Sequence, residues 1–136
     1  MVVIRQIIAL GCLLASFGCA SRLPLQGDWR AERHLEFAHG IDPYAAVTLN
    51  RVVLNIKENG DFQLVDLSIP REGKLDLTAK TQTLGFDVIA GRPANRSSES
   101  ISLDYTINYR DDDTIELKKG SDPSILLHRE TKPTAK

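Results

Sequence analysis

Apolar and polar residues alternate with period two along much of the chain, the mark of strands with one wet face and one buried face. In Ile101-Ser102-Leu103-Asp104-Tyr105-Thr106-Ile107-Asn108-Tyr109, five apolar or aromatic side chains alternate with four polar ones. Its return strand is Thr114 to Lys119, with Ile115 and Leu117 pointing inward. Setting Tyr109 opposite Ile115 and Ile107 opposite Leu117 keeps all four on one face. Asp111-Asp112-Asp113 then becomes a three-residue loop, and Asp113 takes its left-handed position, which Asp tolerates. Around Glu58-Asn59-Gly60 an Asn-Gly two-residue turn would set Ile56 against Gln63 and mix the faces. A three-residue loop Glu58 to Gly60 pairs Ile56 with Phe62, Leu54 with Leu64 and Lys57 with Asp61. A one-residue slip exchanges the faces of a strand, so the apolar pattern selects that register and makes Gly60 the left-handed residue of a G1 bulge.

Weaker alternation predicts strands through Trp29-Ala31-Arg33-Leu35-Phe37, Leu75-Leu77-Ala79, Leu84-Phe86-Val88 and Ile125-Leu127. The apolar parity switches between Ala79 and Leu84, which predicts a bulge or turn near Thr81-Gln82-Thr83. Residues 91–100 form a long polar loop, and Gly40-Ile41-Asp42-Pro43 and Gly120-Ser121-Asp122-Pro123 read as turns. The expectation is an all-β fold of seven or eight antiparallel strands, an up-and-down meander forming a small barrel or sandwich that closes on itself to abolish its edges. Three features resemble the small lipocalin-like barrel lipoproteins of bacteria. They are Gly27-Asp28-Trp29 opening the first strand, the Asn59-Gly60-Asp61-Phe62 hairpin, and the closing Tyr105 to Arg129 pattern ending Ile125-Leu126-Leu127-His128-Arg129. The resemblance implies that Trp29 closes one barrel end and packs against Arg129.

The first 18 residues break the strand pattern. One charge, Arg5, precedes the apolar run Ile7 to Phe17 and the small residue Gly18, which is a secretory signal by length and flanks. A permanent span needs roughly 20 apolar residues, and this run is shorter. The segment Leu13-Leu14-Ala15-Ser16-Phe17-Gly18-Cys19-Ala20-Ser21 resembles the lipobox of bacterial lipoproteins, which implies cleavage before Cys19 and acylation of its thiol. Cutting before Cys12 instead would leave too short an apolar region. Both cysteines of the chain lie in this segment, so no disulfide or thiolate metal site follows Cys19. Ser16-x-Gly18 and Gly18-x-Ala20 also suit an ordinary signal peptidase, which would leave a soluble periplasmic protein.

The expected organisation is a signal peptide over 1–18, a lipidated tether over 19–26, a β domain over 27–130 and a polar tail over 131–136. Under the lipoprotein resemblance, Ala20 after the lipidated Cys implies onward transport to the periplasmic face of the outer membrane. The 118 residues from Cys19 onward make one domain, and with Arg5 gone they carry 16 basic and 18 acidic residues, a formal charge of −2. That balance and a pI near 6.3 exclude the basic stripe of a nucleic-acid binder.

Candidate chemistry is sparse. His34 and His128 fall out of phase with the apolar positions and point outward, and His39 precedes a turn glycine. No two histidines have the spacing that converges imidazoles on zinc, and Asp111-Asp112-Asp113 lacks the order of a calcium loop. Asn95-Arg96-Ser97 is a glycosylation sequon by letter alone. There is no Gly-x-Ser-x-Gly, His-Glu-x-x-His or phosphate loop, and no cofactor is implied. Tyr105, Ile107 and Tyr109 face inward and are the candidates to line a pocket for a small apolar ligand, with plain core packing as the competing account. The function expected is a membrane-anchored, non-catalytic accessory domain that binds an envelope protein partner. The alternatives are a lipocalin-like carrier of a small hydrophobic ligand and an envelope hydrolase.

Overall fold

A computed structural model of the chain describes residues 24–36, 40–94 and 104–131. Ten strands form one antiparallel sheet: β1 Gly27–Glu32, β2 Arg51–Ile56, β3 Asp61–Asp66, β4 Ile69–Lys74, β5 Gln82–Leu84, β6 Val88–Ile89, β7 Arg92–Pro93, β8 Tyr105–Tyr109, β9 Thr114–Lys118 and β10 Ile125–Arg129. Their spatial order is β5-β8-β9-β10-β1-β2-β3-β4-β6-β7. The fold is all-β as expected, but the sheet has ten strands among the described residues and does not close: it curls strongly into a half-barrel whose edges do not pair with each other. The run from Gln82 to Ile89 supplies a strand at one edge, then crosses through Gly85-Phe86-Asp87 to pair with β4 on the other side. The expected strand Leu84-Phe86-Val88 is therefore divided between two partners. Leu84 and Phe86 keep their inward phase and are buried.

Both strong hairpins have the register their apolar pattern requires. Leu54 faces Leu64 and Ile56 faces Phe62, and Lys57 N donates to Asp61 O at 2.8 Å. Ile107 faces Leu117 and Tyr109 faces Ile115. Gly60 has φ +87, and a Cβ built on it would lie 2.4 Å from the Leu75 carbonyl oxygen. Gly60→Ala therefore combines left-handed strain with a backbone clash, and is expected to cost about 2–3 kcal/mol in chemical denaturation. Asp113 is a correction. Positive φ at non-glycine residues among those described occurs at Leu67, Ser68 and Ala90, not at Asp113. The Asp111 carboxylate accepts from Asp113 N at 2.9 Å and turns the chain without the left-handed step.

Other boundaries also shift. β1 stops at Glu32 and does not reach Leu35, which is exposed. Leu75-Leu77-Ala79 is no strand: Asp76 accepts from Thr78 N at 2.9 Å and Thr78 Oγ1 at 2.6 Å, folding a turn there. The parity switch falls between Leu77, which still packs against the core, and the buried Gln82 that opens β5, so the turn comes a few residues ahead of the expected Thr81–Thr83. After the Gly40–Asp42 turn, Pro43 opens helix α1, Pro43–Asn50, where only a turn was expected. Proline suits the first helical position because its missing N–H would be unpaired anyway. The first part of the Ile101–Tyr109 run, Phe37, His39 and Asn95-Arg96-Ser97 lie outside the described residues, as does Cys19 with the whole signal segment.

The concave face carries the core, including Trp29, Val52, Leu54, Leu64, Leu84, Ile115, Leu117 and Leu127, all fully buried. Gly73 marks where the two sides of the curl touch. A Cβ there would meet the Gly85 carbonyl oxygen at 2.1 Å and the Phe62 ring at 2.9 Å. At one end of the half-barrel, the terminal end, lie residues 24–27, the loop 57–60, the loop 110–113 and the close of β10. At the other, the helix end, lie α1, the Leu67-Ser68 turn, Tyr105 and the segment 119–124. Leu25 is buried, and its carbonyl accepts the Trp29 indole N–H at 2.9 Å. Arg129 lies 4.2 Å over the Trp29 ring, the packing that the lipocalin-like resemblance implies. Its guanidinium donates to Gln26 O at 2.9 Å and Pro24 O at 2.8 Å. Pro24 to Gln26 are thereby fixed to the terminal end.

Candidate functional site

The helix end gathers charges that the apolar pattern would exclude. Asp66 closes β3 in phase with Phe62 and Leu64, so its carboxylate is directed at the core and is buried. A buried carboxylate must be paired and hydrogen-bonded. Arg33, in phase with Trp29 and Ala31, donates to it through Nη2. The Tyr105 hydroxyl donates to the other oxygen at 3.1 Å, and Arg71 Nη1 stands 3.5 Å from that oxygen as an ion pair without a hydrogen bond.

Aromatic rings fill the space beneath. Phe86 packs edge-on against Phe62 at 5.9 Å and against Tyr105 at 6.2 Å. Arg71 lies 5.8 Å over the Phe86 ring and Lys119 6.0 Å over the Tyr105 ring. Two donors in the cluster, Arg33 Nε and Arg71 Nη1, are buried without a hydrogen-bond partner among the described residues.

Beside this cluster the wall of the half-barrel opens. β1 pairs with β10 only at Trp29–Arg129 and Arg30–His128. Continuing that register would bring Glu32 to Leu126, but the strands separate first. A slot of about 830 Å³ lies in the gap, lined among others by Arg33, Tyr105, Lys119, Ile125, Leu126 and His128. Glu32 and Asp122 stand exposed along the same slot.

Burial first, then the Asp66 charge and its hydrogen bond, raises the Tyr105 phenol above its usual 10.0. A raised folded-state value means that the stability from this proton is fully present below the unfolded value near 10 and is lost as pH rises through the folded one. An ultraviolet titration should show one tyrosine ionising late, and Tyr105→Phe should remove that phase. The same substitution is expected to cost about 1.5 kcal/mol, the low end for a hydrogen bond to a charged group.

Of the residues singled out for ligand lining, Tyr105 borders the slot. Ile107 is a core side chain facing Gln82 and Leu117, and Tyr109 packs at the core margin. The structure thus brings Tyr105 to the cluster and leaves Ile107 and Tyr109 away from it. Asp66, Arg33, Arg71 and Lys119 were missed by a search for known motifs. Their signal was a pair of opposite charges standing in the apolar phase, Asp66 at the end of β3 and Arg33 one residue past β1 in the phase of Trp29 and Ala31. His34 and His128 are exposed and border the slot. Among the described residues, no group of three His, Cys, Asp or Glu could hold a metal ion, and no helix is long and apolar enough to cross a membrane. Compared with known proteins, the chain matches no protein-family model, no curated protein and no solved structure.

Proposed function

We propose that this chain is an envelope lipoprotein, acylated at Cys19, whose β domain is a non-catalytic module that binds a partner at its helix end. The observation that carries the reading is the polarity of the half-barrel. The N-terminal segment leaves from the terminal end, pinned by Arg129 at Pro24 and Gln26, while the slot and its charged cluster lie at the opposite end. Pro24 is five positions after Cys19, a stretch that spans at most about 17 Å when extended. A lipid on Cys19 would hold the terminal end close to the membrane and turn the slot toward whatever lies beyond it. With Ala20 following Cys19, that membrane is the outer membrane in enteric-type sorting, and the slot faces the periplasm.

The packed concave face supports this reading over a carrier that encloses an apolar ligand along the barrel axis. Trp29, Leu54, Leu64, Ile115, Leu117 and Leu127 occupy that space themselves. The test has two parts. A clickable fatty acid should label the wild-type protein in cells and not Cys19→Ala; unlabelled wild type would leave a soluble periplasmic domain. A photo-crosslinker at Leu126 should capture one discrete partner in intact cells where the same group at Asn59, on the terminal end, does not. Equal capture at both positions, or only abundant bulk proteins at Leu126, would remove the helix end as the binding face.

A further inference from the structure

We propose that the slot at the helix end is an anion-binding site, in which Arg33 and Lys119 receive the oxygens of a carboxylate or phosphate group carried on a partly apolar ligand. The inference rests on the reading of this end as the working face, and not on the lipid at Cys19.

Charge accounting is the first support. Asp66 is the one carboxylate paired with both Arg33 and Arg71, and Lys119 stands against the Tyr105 ring, whose hydroxyl binds Asp66. Three cations thus share one anion among the described residues of the cluster. Glu32 and Asp122 offset that excess only from the exposed rim of the slot, where water screens them, so the half-buried inner side keeps the positive field that a counter-ion would feel.

Hydrogen bonding is the second. Arg33 lines the slot, and its Nε is buried with no acceptor. Buried N–H groups are nearly always satisfied. That Nε is closed to solvent as the side chain lies, so an oxygen in the slot would reach it only with a shift of the Arg33 side chain, and would then make a charge-assisted bond, the stronger kind. Arg71 Nη1 carries a second unmet donor on the far side of Asp66.

The slot also limits what can enter. Glu32 and Asp122 border it and are exposed, so a polyanion laid along the surface would meet two negative charges. Arg30 is engaged by Glu130 at 2.9 Å. A single compact anionic group passing between these acids avoids that repulsion. Leu35, Pro123, Ile125 and Leu126 give the same slot an apolar side, and Leu126 is 48% exposed there. The ligand that fits carries one anionic head and a short apolar flank.

The Arg33 Nε–H resonance of the full mature chain provides the readout, titrated with inorganic phosphate and separately with acetate, against sodium chloride at equal ionic strength. The expected result is a saturable downfield movement with phosphate, acetate or both, and none with chloride. A response to one anion alone assigns the head group as phosphate or carboxylate. Lys119 is outside the strands and makes no ion pair among the described residues, so Lys119→Gln should keep the fold by circular dichroism. It should weaken the binding about tenfold, the equivalent of one charge-assisted contact. An unmoved Nε–H, a response equal to that in chloride, or undiminished binding by Lys119→Gln would overturn the proposal. None of these results depends on acylation or on crosslinking at Leu126, so the anion site and the anchored-module reading fail separately.

Discussion

Asp66→Ala is expected to destabilise the domain by about 3–5 kcal/mol, the usual loss when one partner of a buried ion pair is removed. The variant keeps Arg33 and Arg71 at the helix end, each mostly buried, and takes away the carboxylate that both face. It also leaves the Tyr105 hydroxyl without its acceptor. A loss of that size is a large share of the roughly 5–15 kcal/mol that holds a small domain folded, so urea denaturation should show a midpoint far below wild type. The comparison that gives the result meaning is Arg33→Met, Asp66→Leu and Arg71→Met combined. Replacing a buried charge group by apolar residues of similar volume is often neutral or stabilising by about 1–4 kcal/mol. If the combined variant regains wild-type stability, the charges are retained for what they bind and not for the fold, and its response to phosphate and acetate should vanish. A single variant within about 0.5 kcal/mol of wild type would mean that water screens the cluster as it screens a surface pair.

How far such a fold can be read from its residues depends on whether one strand face is distinctly apolar. The β2–β3 and β8–β9 hairpins were legible to the register, because a slip of one residue would have carried Leu54, Phe62, Ile107 and Leu117 out of the core. β4 was not legible. Its sequence Ile-Pro-Arg-Glu-Gly-Lys holds no apolar alternation, and the Leu67-Ser68 turn before it uses left-handed backbone at two residues that do not advertise it. β6 and β7 have two residues each and take their identity from their neighbours. Helix α1 is short and has no buried residue, so no helical stripe marked it. The site was half legible. Tyr105 falls in the inward phase of a clear strand, Asp66 in that of β3, and Arg33, one residue past β1, continues the phase of Trp29 and Ala31, where a charge is costly unless partnered. Their pairing is 33 residues apart in sequence and follows only from the curl that brings β1 and β3 to the same end. Lys119 closes the expected strand Thr114 to Lys119 in the inward phase of Ile115 and Leu117, but β9 ends one residue before it, at Lys118.

Trp29→Ala is the second change with a large expected effect, again about 3–5 kcal/mol for a buried aromatic cut back to Ala. Three separate interactions end with the ring. The indole is fully buried in the core, its N–H satisfies the Leu25 carbonyl at 2.9 Å, and its face receives the Arg129 guanidinium at 4.2 Å. Arg129 is in turn the group that holds Pro24 and Gln26. The loss therefore reaches beyond the core to the segment through which the domain would be tethered. Arg129→Ala separates the two consequences, because it keeps the ring in place and removes only the clamp. Hydrogen exchange should then accelerate at the Leu25 and Gln26 amides while β2 and β3 stay protected, since local opening follows the loss of local contacts. In Trp29→Ala both regions should exchange faster. Unchanged protection of Leu25 and Gln26 in Arg129→Ala would show that the buried Leu25 side chain holds the segment without the arginine, and the polarity of the half-barrel would then rest on hydrophobic packing at its terminal end.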